Sequence, residues 1–224
     1  MGTEGRTITE GCLTDEQWSL SQQNEAGFWK SQKTVDNVEQ WQRNHYYRNA
    51  LEDGNTIAMD FLARDFTEYS IMDIGSGPEG ILHILKAKFK LAIDPLMSTY
   101  RDQGYNIGSD DVWWLAEPAE TFYPYTVPGN PVFFDYATCL NALDHMKEPA
   151  KAIENIAKYV QDEFLLITDL RTLEQLDTYH RLAVSEEDVL SWLKPYFEII
   201  VKQNFPHQAG NPVRQLVVRC RKYS

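Results

Sequence analysis

The chain contains no apolar run near the ~18–20 residues that a membrane-spanning helix requires. Its first residues, Met1-Gly2-Thr3-Glu4-Gly5, carry neither the basic flank nor the apolar core of a secretory signal. Arg6 stands where a myristoylation motif has Ser or Thr. A cytoplasmic location is the expectation. Cysteine is scarce: Cys12, Cys139 and Cys220 are far apart, odd in number and never in a C-x-x-C pair, which argues against a disulfide framework and a zinc cluster. His, Asp and Glu fall at no recognisable ligand spacing, so no metal is expected. Basic residues are outnumbered, 21 Lys and Arg against 33 Asp and Glu, for a formal charge of -12. Such a surface repels phosphate backbones and anionic membranes, so neither nucleic acid nor membrane is expected as a partner. The basic cluster Arg219-Cys220-Arg221-Lys222 alternates along a predicted strand, and a solvated strand face explains it. There is no internal repeat and no low-complexity tract. The remaining composition, 43% hydrophobic and 24% charged over 224 residues, is ordinary for a soluble globular protein. It leaves room for one α/β domain with an appendage, or two small domains.

The stretch that organises the chain is Ile71-Met72-Asp73-Ile74-Gly75-Ser76-Gly77-Pro78-Glu79-Gly80. An apolar, β-prone run over 69–74 feeds a glycine-rich turn, and Ile81, Leu82, Ile84 and Leu85 predict a helix directly after it. Gly75 permits a tight turn and Gly77 a close approach of ligand to backbone. The predicted helix N-terminus would offer free N–H groups to an anionic part of that ligand. Asp73 sits inside the strand end, where a carboxylate is costly to bury without a partner. The next predicted strand, 90–95, ends in Asp94, about 20 residues past the glycine turn. That is the spacing at which a βαβ unit delivers an acid to ribose hydroxyls. The pattern points to an adenosine-containing ligand.

At these residues the chain resembles the class I S-adenosylmethionine-dependent methyltransferases, whose usual form is D-x-G-x-G. The resemblance covers residues 69 to 224, although Glu79 stands where another glycine is frequent. It implies a Rossmann-like, doubly wound, seven-stranded and mainly parallel sheet of order 3-2-1-4-5-7-6. The segment 116–122 resembles the family's adenine-holding motif: Ala119 and Glu120 match it, and Pro118 replaces an acid. The segment Asn141-Ala142-Leu143-Asp144-His145 resembles the family's post-fourth-strand segment, which faces the methyl-transfer centre, in a form found in small-molecule and saccharide methylating subgroups. By this resemblance Asp73, Gly75, Ser76, Gly77, Asp94, Pro95, Leu96, Ala119, Glu120, Leu140 and Asn141 bind S-adenosyl-L-methionine, with S-adenosyl-L-homocysteine as product.

Upstream, Thr14 and Gln17 mark a helix start, and a longer helical pattern spans 25–51, broken by Asp53-Gly54-Asn55. A short helix is expected over 57–66. Residues 1–65 thus read as a helical cap on a core of 66–224. In the family such helices cover the substrate pocket, which makes Trp29, His45, Tyr46 and Tyr47 candidate acceptor contacts. Downstream, strands are expected over 111–116, 132–140 and 163–170, then a helical stretch with Leu173, Leu176 and Tyr179 leading to His180, a further acceptor candidate. Ser185 caps a last helix that stops at Lys194-Pro195, and a terminal hairpin (197–201, 215–219) closes the chain. His145 is the candidate general base because imidazole titrates near neutral pH, with Asp144 beside it. A helix-start residue packed under the cap is the equal alternative for His145.

The expectation is methyl transfer to the O or N of a small polar acceptor such as a sugar or related metabolite. Two other classes remain open. Gly75-x-Gly77-x-x-Gly80 also satisfies the fingerprint of a nicotinamide-dependent oxidoreductase, and the fold can host a non-catalytic adenosylmethionine-binding protein. The acceptor and the oligomeric state are not legible in the sequence.

Overall fold

The computed structural model describes residues 12–32, 56–78, 80–105, 111–126, 130–206 and 212–223. Helix α1, Asp15–Gln32, starts at a reciprocal cap: Gln17 N–H donates to Thr14 Oγ1 (3.2 Å) and Thr14 N–H to Gln17 Oε1 (3.0 Å). It begins earlier than the predicted 25–51 pattern, whose continuation past residue 32 lies outside the described residues. Helix α2, Thr56–Leu62, leads into β1, Phe66–Ile74, so Phe66 opens the strand rather than closing the helix. Strand β2 is Ala87–Ile93, helix α3 Met97–Asp102, β3 Val112–Leu115 and β4 Phe134–Leu140. Helix α4, Pro149–Tyr159, precedes β5, Val160–Leu170, and helix α5, Glu186–Leu193, precedes the hairpin of β6, Phe197–Pro206, and β7, Arg214–Lys222. Tyr125–Thr126 and Asn130–Pro131 form a separate two-residue pairing.

The sheet runs β3-β2-β1-β4-β5-β7-β6. The pairings of β1 with β2 and β4, of β2 with β3 and of β4 with β5 are parallel, whereas β7 is antiparallel to both β5 and β6. This is the order expected from the sequence. Among the described residues no strand precedes Phe66. The central strands are covered on both faces, which is why they read as continuous apolar runs. Along β5, Phe164 and Leu166 join the core beneath α4 and α5, and Leu165 and Ile167 join the core that holds Ile57, Ala58 and Phe61 of α2. The strand order reverses between β1 and β4, and in open α/β sheets the crevice at that point is where ligands bind.

One expectation fails in an instructive way. No α-helix follows the glycine turn: Ile81–His83 is a single 3₁₀ turn, and residues 75–86 are the whole connection from β1 to β2. A buried side chain closes this short connection. Lys90, 3% exposed, sends its Nζ back to Leu82 O (3.2 Å) and Leu85 O (3.1 Å) and also pairs with Asp111. The anion-binding helix end inferred from the sequence is therefore absent. Likewise the stretch after β5 forms only a 3₁₀ turn at Leu173–Gln175, and β5 starts at Val160, three residues before the expected 163.

Glu163 pins the far end of the sheet. Its side chain is 2% exposed, and it accepts from Arg219 Nε (2.8 Å) and Arg221 (2.7 Å) and pairs with Arg64 (2.8 Å). Glu163→Ala leaves three guanidinium groups without their shared anion. Breaking a buried pair costs ~3–5 kcal/mol, and because the arginines are partly solvated the lower end, about 3 kcal/mol, is expected. Urea denaturation midpoints at constant slope check this.

Candidate active site

The loop after β1 is shaped by two left-handed glycines, Gly75 at φ 66 and Gly77 at φ 62. Gly75 allows no Cβ, which would lie 2.2 Å from Cβ of Ala142 in the loop after β4. The N–H groups of Gly75 and Ser76 donate to Ile93 O (2.7 and 3.2 Å), and that of Gly77 donates to Asp94 Oδ2 (3.1 Å). The glycines thus contribute space and curvature, and their amides bind the loop to the end of β2. Asp94 Oδ1 accepts from Leu96 N–H (2.8 Å). The Asp94 carboxylate therefore ties two loops together and still lines the cleft, with lone pairs left for hydroxyl donors.

Asp73 lies beneath this loop at 2% exposure. The register that sets Asp73 opposite Thr138 explains its first partner, the Thr138 hydroxyl, which donates to Asp73 Oδ1 at 2.7 Å. The second is the N–H of Ile81. A Cβ on Gly80 would sit 2.6 Å from Asp73 Oδ2, so the carboxylate fills the space under the turn. Burial raises Asp73 to about 7 and Asp94 to about 6, against the hydrogen bonds that favour their charged forms. Both groups bind a proton more tightly in the folded chain than in the unfolded one, where the value is 3.8. Their contribution to stability is therefore greatest below pH ~4 and is lost as pH rises through 4 to 7. Asp73→Asn should flatten that fall by up to ~4 kcal/mol, read as the difference between wild-type and variant urea unfolding energies across pH.

The cleft holds about 180 Å³ between the loops after β1, β2, β3 and β4 and one face of α1. Trp18, Gln22, Glu25 and Trp29 recur at helical spacing along that face, and all four line the cleft. Gly75, Gly77, Asp94, Pro95, Leu96, Ala119, Glu120, Asn141 and His145 line it as well. Asp73, Ser76 and Leu140 do not: they are buried in the wall behind it. His45, Tyr46 and Tyr47 lie outside the described residues. The mixed polar and aromatic face of α1 was not singled out in the sequence, because two of its four residues are polar and break the apolar period. The 4-3-4 spacing of Trp18, Gln22, Glu25 and Trp29 is the signal that was there.

The loop after β3 is held by side chains of α4 and its approach. Asn155 Nδ2 donates to the carbonyls of Ala119 and Phe122 (both 3.0 Å), and Glu120 Oε1 accepts from the N–H groups of Lys147 (2.8 Å) and Glu148 (3.0 Å). Glu120 thereby fastens the β3 loop to the β4 loop. After β4, Asn141 is the one non-glycine residue with positive φ (55) among the described residues; its Oδ1 accepts from Gln215 Nε2 at 2.8 Å. Such strain persists where the surroundings hold it, and it clusters at functional sites.

His145 follows on a 3₁₀ turn, Leu143–His145. Its Nδ1 is 3.9 Å from Glu25 Oε2, its Nε2 is 4.0 Å from Asp144 Oδ2, and its ring centre is 4.6 Å from that of His180. Burial opposes its charge, but Asp144, Glu25 and Asp169 outweigh burial, and the net shift is upward. Asp144 is 1% exposed and outside the cleft lining; His180 is also outside that lining. Arg171, which the sequence reading did not single out, lies 2.9 Å from Asp169 Oδ2 and 3.8 Å from Asp144 Oδ2. No helix among the described residues is long and apolar enough to cross a membrane.

No family model matches the chain, and no curated protein matches it. Solved structures do. The N-methyltransferase NodS of Bradyrhizobium japonicum, in complex with S-adenosyl-L-homocysteine, is 16% identical over 94% of this chain and 100% of its own, with a TM-score of 0.59. The 1,6-didemethyltoxoflavin-N1-methyltransferase of Burkholderia thailandensis, with its 1,6-didemethyltoxoflavin and S-adenosylhomocysteine bound, is 14% identical over 100% and 99%, with a TM-score of 0.59. Magnesium protoporphyrin IX methyltransferase of Synechocystis, with S-adenosylhomocysteine bound, is 13% identical over 93% and 100%, with a TM-score of 0.61. The chain therefore has the class I methyltransferase fold.

Proposed function

We propose that this chain transfers a methyl group from S-adenosylmethionine to the oxygen or nitrogen of a small polar acceptor, such as a sugar or related metabolite. The observation that carries the reading is the Asp94 carboxylate. It is 8% exposed, anchored by two backbone N–H groups and placed at the cleft wall beside the two glycines. These residues suit the cofactor: the missing Cβ atoms at Gly75 and Gly77 leave a cradle, and Asp94 has lone pairs for the two ribose hydroxyls. Pro95, Leu96, Ala119 and Glu120 flank the space next to Asp94, where the adenine would lie. Asp73, Ser76 and Leu140 act through the shape of the loops rather than by contact. The neighbouring proteins with S-adenosylhomocysteine bound support the same cofactor here.

The cofactor supplies a methyl group on a sulfonium sulfur. The protein's part is to hold the acceptor in line with it, an arrangement worth up to ~7–11 kcal/mol of the barrier. Asn141 and His145 form the floor at that end, while Trp18, Gln22, Glu25 and Trp29 form the α1 wall as a covering cap. A hydroxyl acceptor must lose a proton, and the His145 imidazole is the group placed to take it, with Asp144 and Glu25 stabilising the resulting charge. His180 extends that end of the site.

Calorimetry with S-adenosylhomocysteine tests the reading. Asp94→Ala should weaken binding at least tenfold, since each charge-assisted hydrogen bond is worth ~1.5–3 kcal/mol. Because the carboxylate must be ionised to accept strongly, wild-type affinity should hold above neutrality and decline as pH falls below about 6. Asp94→Asn should bind weakly at every pH. Undiminished affinity in Asp94→Ala, or preferential binding of NADH, defeats the proposal.

A further inference from the structure

We propose that Asp144, His145 and His180 form a binding site for one divalent first-row transition cation at the acceptor end of the cleft. The three offer donor atoms that all lie within 4.8 Å of one another. Asp144 Oδ2 is 4.0 Å from Nε2 of His145 and 4.0 Å from Nε2 of His180. That is too long for a hydrogen bond, and it is within about 0.6 Å of the ~3.4 Å that separates donors on a tetrahedral ion with bonds of about 2.1 Å. Drawing the widest pair to the same separation needs a closing movement of about 1.4 Å at most, shared between two side chains.

Three further observations point to a cation. First, the Asp144 side chain is 2% exposed, and among the described residues its Oδ2 accepts no hydrogen bond. A buried carboxylate oxygen left so is costly unless something positive joins it. Among the described residues Arg171 is the nearest fixed cation, with its Nε 3.8 Å away and itself without a hydrogen bond, while its Nη2 is engaged with Asp169 at 2.9 Å. Second, Nδ1 of His180 faces both oxygens of Asp177, at 2.9 and 3.0 Å. A carboxylate only accepts, so the Nδ1 proton is fixed there, and in the neutral ring the lone pair sits on Nε2, the nitrogen 4.0 Å from the Asp144 oxygen. Acceptor faces acceptor with room for an ion between them. A carboxylate behind a ligating imidazole is the usual outer partner of a metal-binding histidine. His145 repeats the pattern more loosely, its Nδ1 lying 3.9 Å from Glu25 Oε2. Third, carboxylates crowd this end of the cleft: Asp144, Asp169 and Asp177 lie 3.8, 2.9 and 3.7 Å from the Arg171 guanidinium, and Glu25 lies 3.9 Å from His145.

Two imidazoles and one carboxylate favour zinc, iron or a neighbouring transition ion over magnesium and calcium, which prefer all-oxygen sites. His145 lines the cleft, so open coordination positions would face the acceptor and orient its oxygen or nitrogen.

The test uses the full chain, stripped with EDTA, desalted and titrated with Zn²⁺, with Mg²⁺ as comparator. One equivalent of Zn²⁺ should bind and raise the melting temperature, and Mg²⁺ should bind more weakly. His180→Ala and Asp144→Asn should each weaken Zn²⁺ binding at least tenfold. Asp177→Asn, which changes a half-exposed side chain, should weaken it about 10–100-fold through the loosened His180 ring. S-Adenosylhomocysteine affinity of the same samples reports whether the fold and cofactor pocket persist, so failure of the ion site and failure of the proposed function are read separately. A wild type that takes up no Zn²⁺, or Zn²⁺ binding unchanged in His180→Ala and Asp177→Asn (an adventitious ion only), overturns the proposal.

Discussion

Replacement of His145 by alanine is expected to lower the maximal methyl-transfer rate to a hydroxyl acceptor about 10²–10⁴-fold. Cofactor affinity should barely change. The imidazole lines the cleft with Asp144 and Glu25 near its two nitrogens, while Asp94 is held by the N–H groups of Gly77 and Leu96. Its help is therefore realised in the transition state and shows in kcat rather than in cofactor binding. Single-turnover rates with saturating S-adenosylmethionine, beside calorimetry with S-adenosylhomocysteine, separate the two quantities. EDTA treatment resolves the chemistry further: a wild-type rate that survives chelation belongs to the free imidazole, and one that collapses belongs to a ligated His145. Near-normal turnover in His145→Ala would make the residue structural and would favour an amine acceptor, which needs orientation more than deprotonation.

The second large effect is expected from Gly75→Ala. The added methyl carbon would stand 2.2 Å from Ala142 Cβ, and φ 66 is strained for any L side chain. Something must move, and what moves is the contact between the β1 and β4 loops that closes the floor of the cleft. Overpacking costs ~1–3 kcal/mol, and the left-handed backbone adds about 1 kcal/mol more. A fall of at least 2 kcal/mol in unfolding free energy is expected, together with loss of measurable S-adenosylhomocysteine binding. Gly77→Ala makes a useful contrast. Its Cβ would meet only the Trp29 ring, at 3.7 Å, so its cost should be the backbone strain and intrusion into the cleft, without a clash between loops. Equal stability in Gly75→Ala and wild type would mean that the two loops do not pack this closely.

Much of the architecture is written in local pattern. The strands covered on both faces announce themselves as apolar runs such as 164–167, and Gly75, Gly77 and the acids Asp73 and Asp94 sit at strand ends where period and turn chemistry coincide. The caps at Thr14 and Ser185 are equally local, since each bond reaches only three residues. Where a non-local partner decided the outcome, the sequence misled. Ile81, Leu82, Ile84 and Leu85 carry a helical pattern, but β2 begins at Ala87, and the short stretch before it is closed by Lys90 on the Leu82 and Leu85 carbonyls and by Asp73 on the Ile81 N–H. Local propensity is a weak prior against buried hydrogen bonds of this kind.

The same division runs through the site. The sequence by itself marked the strands, the glycine turn, and the placing of Asp94 after β2 and of His145 after β4, because these follow from residue periodicities and turn chemistry; the order of the strands was implied by the resemblance to the class I methyltransferases. The tertiary structure alone decided that the α1 face of Trp18, Gln22, Glu25 and Trp29 forms the opposite wall. It alone also decided that Glu120 fastens two loops and that His180 meets Asp144 and His145 from beyond β5. Those contacts join residues 27 to more than 100 positions apart, brought together only when β1, β4 and β5 lie side by side and α1 folds across their ends. Side-chain chemistry is legible along a chain; which chemistries share one small volume depends on how the sheet orders its strands.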